Sequence, residues 1–240
     1  MIKDDLGMRM KTFYEQVPKT KLIRRMPVAI RIDGRAFHTF TRGLYKPFCY
    51  TLIDAMQETM KYLCENIQGC VFGYTQSDEI SLILVDYKEL NSSAWFDYEV
   101  QKMCSISASM ATVAFNNFFP CEGKKKAMFD SRCFNIPIEE VTNLIYWRQL
   151  DAIRNSIQMV GQANFSQKEL QGKGCADIKE MLVEKGDPWE NYPIVAQRGS
   201  ACIKKDGKWG IDNYMPILKG ESREYLDKYV RYSTYYEENK

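Results

Sequence analysis

Arg31-Ile32-Asp33-Gly34-Arg35-Ala36-Phe37-His38 and Gly73-Tyr74-Thr75-Gln76-Ser77-Asp78-Glu79-Ile80-Ser81 decide how this chain folds, because each puts carboxylate where β-structure stops. The first closes Pro27-Val28-Ala29-Ile30-Arg31-Ile32, which alternates apolar with other residues from Val28 onward and then meets Asp33-Gly34, a strand followed by a turn. The second lies between Cys70-Val71-Phe72 and Ile80-Ser81-Leu82-Ile83-Leu84-Val85, a hairpin signal with Ser77-Asp78-Glu79 at its tip. Neighbouring strands would bring Asp33 against Asp78 and Glu79 at one sheet edge. Carboxylates gathered so closely raise one another's pKa unless a cation neutralises them, and oxygen-only donors select Mg²⁺ or Mn²⁺. The expectation is a two-metal phosphoryl-transfer site. The bland alternatives are a turn aspartate at Asp33 and a polar hairpin tip at Ser77-Asp78-Glu79.

Around these stretches the order of elements is legible. Cys49, Leu52, Ile53, Met56, Met60, Leu63, Cys64 and Ile67 recur at steps of three and four, which predicts an amphipathic helix stopped at Gly69. A second helix, Tyr98 to Phe118, is rich in small residues that let it lie close on a sheet, and Pro120 with the Gly123 to Lys126 run ends it. Ala127 to Ile136 reads as a fourth strand stopped at Pro137. The sequence β-α-β-β-α-β is that of a ferredoxin-like split βαβ, which sets strand one beside the hairpin. Beyond Pro137 the pattern is mostly helical. It includes a segment near Ser166 to Lys185 with Ser166 and Glu169 as cap, a strand-like piece from Ile194 to Ile203, and a last helix after Gly220. The expected class is α+β, with residues 1–137 a palm-like catalytic core and 138–240 a mainly helical extension packed on it, or one domain with both.

A chain of 240 residues, 45% of them hydrophobic, buries a full core without staples. Its net charge of +2 excludes a grossly basic nucleic-acid coat while allowing a local basic cleft. The eight cysteines, at 49, 64, 70, 104, 121, 133, 175 and 202, form no C-x-x-C, so they read as reduced thiols of a cytoplasmic protein, not as a zinc or disulfide frame. No apolar stretch approaches the ~18 residues of a membrane span. The single histidine, His38, removes His-based metal sites and makes a serine triad implausible.

The two motifs, in this order with a helix between them, resemble the tRNA(His) guanylyltransferase superfamily of 3′-to-5′ nucleotide polymerases. The resemblance continues through Lys46-Pro47, Phe129-Asp130-Ser131-Arg132, Tyr146-Trp147-Arg148-Gln149-Leu150-Asp151, Leu170-Gln171-Gly172 and Arg198-Gly199, covering residues 27–203. It implies a polymerase and cyclase palm with added helices, assembled as a homotetramer. It also implies two Mg²⁺ ions on the Asp33 side chain, the Gly34 carbonyl and the Asp78 side chain, with Mn²⁺ as substitute. Triphosphate would lie against the loop Asp33, Gly34, Arg35, Ala36, Phe37, His38 and against Ser77, with Lys46 in reach. Glu79 joins Asp33 and Asp78 as a catalytic carboxylate. The substrates it implies are tRNA, ATP and GTP.

Arg132, Arg148, Arg154, Asn155, Lys173 and Arg198 are candidate RNA contacts, since Lys and Arg supply the salt-dependent attraction to phosphate. Lys124 to Lys126 reads as a solvated loop, and Tyr225, Tyr229 and Tyr232 as packing side chains. Where eukaryotic enzymes of the superfamily carry His-Ile-Asn-Asn, this chain reads Ile153-Arg154-Asn155-Ser156. That departure favours the template-dependent branch, in which a 5′-truncated tRNA is repaired after ATP-dependent 5′-adenylylation. The competing readings are a non-templated tRNA(His) guanylyltransferase, a nucleotide cyclase, and an inactive tRNA-binding homologue. The cyclase lacks its Gly-Gly-Asp/Glu-Glu-Phe signature here.

Overall fold

The computed structural model describes residues 5–120 and 126–231. The readings on Cys121, Lys124, Lys125 and Tyr232 lie outside the described residues. In chain order the elements are α1 (Asp5–Met10), β1 (Val28–Gly34), α2 (Phe37–Phe40), α3 (Tyr50–Asn66), β2 (Cys70–Gln76), β3 (Glu79–Leu84), α4 (Val100–Phe118), β4 (Phe129–Asn135), α5 (Ile138–Asn164), α6 (Gln167–Leu170), α7 (Cys175–Lys185), α8 (Ile194–Arg198), β5 (Ser200–Lys205), β6 (Lys208–Asp212) and α9 (Glu224–Val230). The strands form one antiparallel sheet ordered β4-β1-β3-β2-β5-β6. Its first four strands are the split βαβ arrangement that the element order predicts.

Alternation along the strands divides the sheet between two cores. Val28, Ile30 and Ile32 of β1, with Ile80, Leu82 and Leu84 of β3, face α3 and α4. Ala29 and Ile83, with Phe72 and Tyr74 of β2, face the other way and pack with Val141 and Ile145 of α5 and Leu226 of α9. Both faces are covered, so β3 is buried along its whole length. A third apolar cluster, including Ile157, Val160, Leu182 and Trp189, holds α7 against the far end of α5.

The C-terminal part departs from the sequence reading in three places. The segment from Ser166 is two helices, because Gly172 (φ +75°) breaks it after the Ser166/Glu169 capping box. The stretch expected as one strand from Ile194 is the helix α8 followed by β5. Pro193 starts that helix, and Gly199 turns the chain at φ 79°, ψ −171°. The additional strand β6 pairs with β5 across Asp206-Gly207, so the extension also widens the sheet. Tyr225 and Tyr229 pack on Phe72, as expected of packing side chains. Among the described residues no helix is long and apolar enough to cross a membrane.

Candidate active site

The site is written on the α5 face of the sheet, in two adjacent rungs. In the first, Asp33 lies directly across from Glu79 on one side and from Asp130 on the other. In the second, two residues along, Arg31 lies directly across from Arg132. Like charges in opposite register repel, and here the pairing runs diagonally instead. Arg31 Nη2 donates to Glu79 Oε2 at 2.8 Å, and Arg132 Nη2 donates to Asp130 Oδ1 at 3.0 Å.

Arg148 descends from α5 and closes on the same glutamate, Nε to Oε1 at 2.7 Å and Nη2 to Oε2 at 2.9 Å. Its Nη2 also reaches Asp151 Oδ2 at 2.8 Å. Two guanidiniums thus neutralise Glu79, which is 4% exposed. Among the described residues Asp33 and Asp78 are in no ion pair.

Asp78 sits at the two-residue tip between β2 and β3, where Ser77 takes φ 51°. Gly34 N–H donates to the Asp78 carbonyl at 3.0 Å, locking the strand-one turn against the hairpin tip. Burial pushes the Asp78 carboxyl above its ordinary value, and the charges of Asp33 and Glu79 push it the same way. Gly34 is required sterically, since a Cβ there would stand 2.2 Å from the Phe37 ring. That ring is the buried anchor of the loop, packed among Phe40, Phe115 and Phe129. It lets Arg35, Ala36 and His38 stay exposed beside a cavity of about 610 Å³. Phe37, His38, Arg42, Tyr45, Lys46, Ser77 and Asp78 are among its lining residues.

The structure therefore gathers Phe37, His38, Lys46, Ser77 and Asp78 around one cavity, with Asp33 and Gly34 beside Asp78 at the end of β1. Glu79, directly across from Asp33, and Arg148 stand beside them, joined to each other. Glu79, expected as a catalytic carboxylate, is buried, neutralised by two guanidiniums, and ties the hairpin to α5. Arg148 is 5% exposed and committed to two carboxylates, which is not the position of a surface phosphate ligand. Arg154 is exposed and paired with Asp151. Asn155 donates to Asp151 at 3.3 Å and borders a slot of about 80 Å³ beside the hairpin tip. Arg198 Nε donates to the Met215 carbonyl at 3.3 Å, while Lys173 is exposed in the turn before α7. Arg148, Arg154 and Asn155 share Asp151 as partner. Arg31, Asp130 and Asp151 lie in the motifs that carry the resemblance but have no role in the sequence reading; the register of β1 with β4 and the three-residue step from Arg148 to Asp151 point to one.

The available donors around Asp33 and Asp78 are carboxylate and main-chain oxygens, which suit a hard divalent cation. Among the described residues no group of three or more His, Cys, Asp or Glu side chains is arranged to hold a metal. A cation there would need the Gly34 carbonyl and substrate phosphate oxygens to complete its shell.

An antiparallel palm sheet carrying paired acids at a strand end and a hairpin tip defines a nucleotidyltransferase class of site. The family model for tRNAHis guanylyltransferase (Thg1) matches residues 7–137, and the chain belongs to that family. A solved bacterial tRNA(His) guanylyltransferase-like protein in complex with ATP is 44% identical, with a TM-score of 0.89 over 94% of this chain and 99% of that one. A bacterial tRNA(His) guanylyltransferase-like protein in complex with GTP is 40% identical, with a TM-score of 0.81 over the same shares, 94% and 99%. The probable tRNA(His) guanylyltransferase of Dictyostelium discoideum is 28% identical over 203 residues, 77% of each chain. The protein is thus an enzyme, a nucleotidyltransferase of a tRNA-processing family.

Proposed function

We propose that this enzyme is a Mg²⁺-dependent 3′-to-5′ nucleotidyltransferase that repairs 5′-truncated tRNA by templated addition after activating the end with ATP. The observation that carries the reading is the division of acids at the sheet edge. Glu79 is held by two cations, whereas Asp33 and Asp78 have no ion-pair partner among the described residues, and Asp78, whose carboxyl feels the charge of Asp33, lines a cavity of nucleotide size. Support for the repair branch comes from Ile153 to Ser156. Ser156 is buried, bonded to the Gln197 carbonyl and by Trp189, and Asn155 is engaged by Asp151, so this run serves packing more than base reading. The higher identity to the bacterial guanylyltransferase-like protein than to the Dictyostelium protein supports the same branch.

In this account Asp33, Asp78 and the Gly34 carbonyl hold the cations. When bound, Mg²⁺ stabilises charge on the transferring phosphorus and acidifies an attacking hydroxyl. Lys46 and the exposed loop through His38 hold the triphosphate, and Phe37 fixes that loop from beneath. Glu79 positions the hairpin tip by its tie to Arg148. In the first transfer an RNA 5′-phosphate oxygen attacks the α-phosphorus of ATP and displaces pyrophosphate. In the second, the 3′-hydroxyl of the incoming nucleotide attacks the RNA 5′-phosphorus and displaces AMP. A triphosphorylated end can skip activation and release pyrophosphate instead.

We further read residues 1–137 as the catalytic core and 138–240 as its extension. Exposed Leu6, Phe13, Tyr14 and Val17 support assembly with further copies, which we read as a homotetramer, and we read the enzyme as cytoplasmic. The test is incubation of a tRNA lacking its first nucleotide with each triphosphate in turn, resolving products by length. Repair predicts addition of the complement of the opposing base, and a switch of nucleotide when that base is changed. Preferred addition of G without complementarity would restore the guanylyltransferase reading.

A further inference from the structure

Trp147 on α5 is 52% exposed although both Arg148 and Arg31 stand over its ring, with their guanidinium carbons 4.4 and 5.7 Å from the ring centroid. Both arginines donate to the same oxygen, Glu79 Oε2. Two guanidiniums sharing one carboxylate oxygen lie too close together to sandwich a ring at those distances, so they back it from one side. The other side is the exposed one. The indole is therefore a rigid aromatic surface, fixed from behind by a buried ion-pair network and open in front.

Its location gives that surface a use. Arg31, which backs the ring, is two residues from Asp33 on the same strand and face, about 6.8 Å along the strand. Arg132, exposed on β4 and in register with Arg31, flanks it with positive charge. A nucleotide whose 5′-phosphate lay at Asp33 and Asp78 would extend its base along this face of the sheet toward Arg31 and the ring it backs. We propose that Trp147 is the stacking platform for the terminal base of the RNA 5′ end undergoing addition, with Arg132 beside it for the adjoining phosphate. Every base has a π-face, so such a platform tolerates any sequence. A templated enzyme needs this tolerance, because pairing and not the protein selects the base.

This inference rests on RNA being the substrate, and the experiment keeps the two apart. A 5′-monophosphorylated RNA hairpin carrying 2-aminopurine as its 5′-terminal base is titrated with wild-type protein, Trp147→Phe and Trp147→Ala, and addition is assayed on the same RNA and on ATP. Wild type should quench the probe and Trp147→Phe should retain most of the quench. Trp147→Ala should lose it and raise KM for the RNA about tenfold, with KM for ATP unchanged. RNA binding with a quench that survives Trp147→Ala overturns the platform alone. So does an equal rise in both KM values, which would mean collapse of the Glu79 network, or a change confined to oligomeric state, which would mean that a second copy covers the ring. Failure of the wild type to bind the hairpin overturns the RNA reading and the platform with it.

Discussion

Arg148 and Glu79 are joined by two hydrogen bonds of 2.7 and 2.9 Å, and both side chains are buried between α5 and the hairpin that carries Asp78. The pair removes one of the four acids at this sheet edge from electrostatic competition. It leaves Asp33 and Asp78 as the carboxylates whose charge is still to be balanced.

Breaking that pair at Arg148 leaves the buried Glu79 with Arg31 as its one cation among the described residues. Arg148→Ala should cost less than the ~3–5 kcal/mol of a fully uncompensated buried charge in denaturant unfolding, and Arg148→Met combined with Glu79→Gln should recover part of it. The slope of log K against log salt for RNA binding should be unchanged in the folded single variant. A slope smaller by about one unit would return Arg148 to the phosphate ligands.

Asp78 makes the opposite prediction for stability. Burial makes the folded protein hold the Asp78 proton more tightly than the unfolded chain does. Its ionisation therefore opposes folding as pH rises past the ordinary carboxylate value, and the penalty is complete once pH has passed the raised folded-state value. Without metal, Asp78→Asn should melt at or above wild type at pH 7, by about 2 °C, and the gap should close as pH falls below the ordinary aspartate value. Activity should fall by orders of magnitude all the same. A melting point several degrees lower at pH 7 would show that Asp78 is structurally engaged.

Gly199 closes the other side of the site. Its backbone lies in a region that only glycine occupies readily, and a Cβ would stand 2.3 Å from the Thr75 carbonyl. Gly199→Ala should lose about 1–3 kcal/mol in urea unfolding, with amide exchange accelerated in β5 and β6 before α3 and α4. Uniform acceleration across the sheet would contradict this local reading.

Much of this was legible in the sequence because strand periodicity and turn residues are local signals. Val28 to Gly34 and the Ser77-Asp78 tip could be read directly, and the β-α-β-β-α-β order then fixed which strands meet. The signals that failed were tertiary. Ile194 to Ile203 is apolar enough for a strand, yet Pro193 starts a helix there and Gly199 ends it. Arg148 has the composition of a phosphate ligand, and only its placement on the inner face of α5 shows that Glu79 claims it. The β6 strand depended on a two-residue Asp206-Gly207 turn flanked by lysines, where strand character is weak.

The most direct test of the division of acids is Mn²⁺ binding in the presence of ATP, followed by electron paramagnetic resonance, for wild type, Asp33→Asn, Asp78→Asn and Glu79→Gln, each below its own melting temperature. The account predicts that Asp33→Asn and Asp78→Asn lose high-affinity Mn²⁺. Glu79→Gln should keep it within a few-fold while losing stability. Loss of Mn²⁺ in Glu79→Gln equal to that in Asp78→Asn, or its retention in both aspartate variants, would contradict the account.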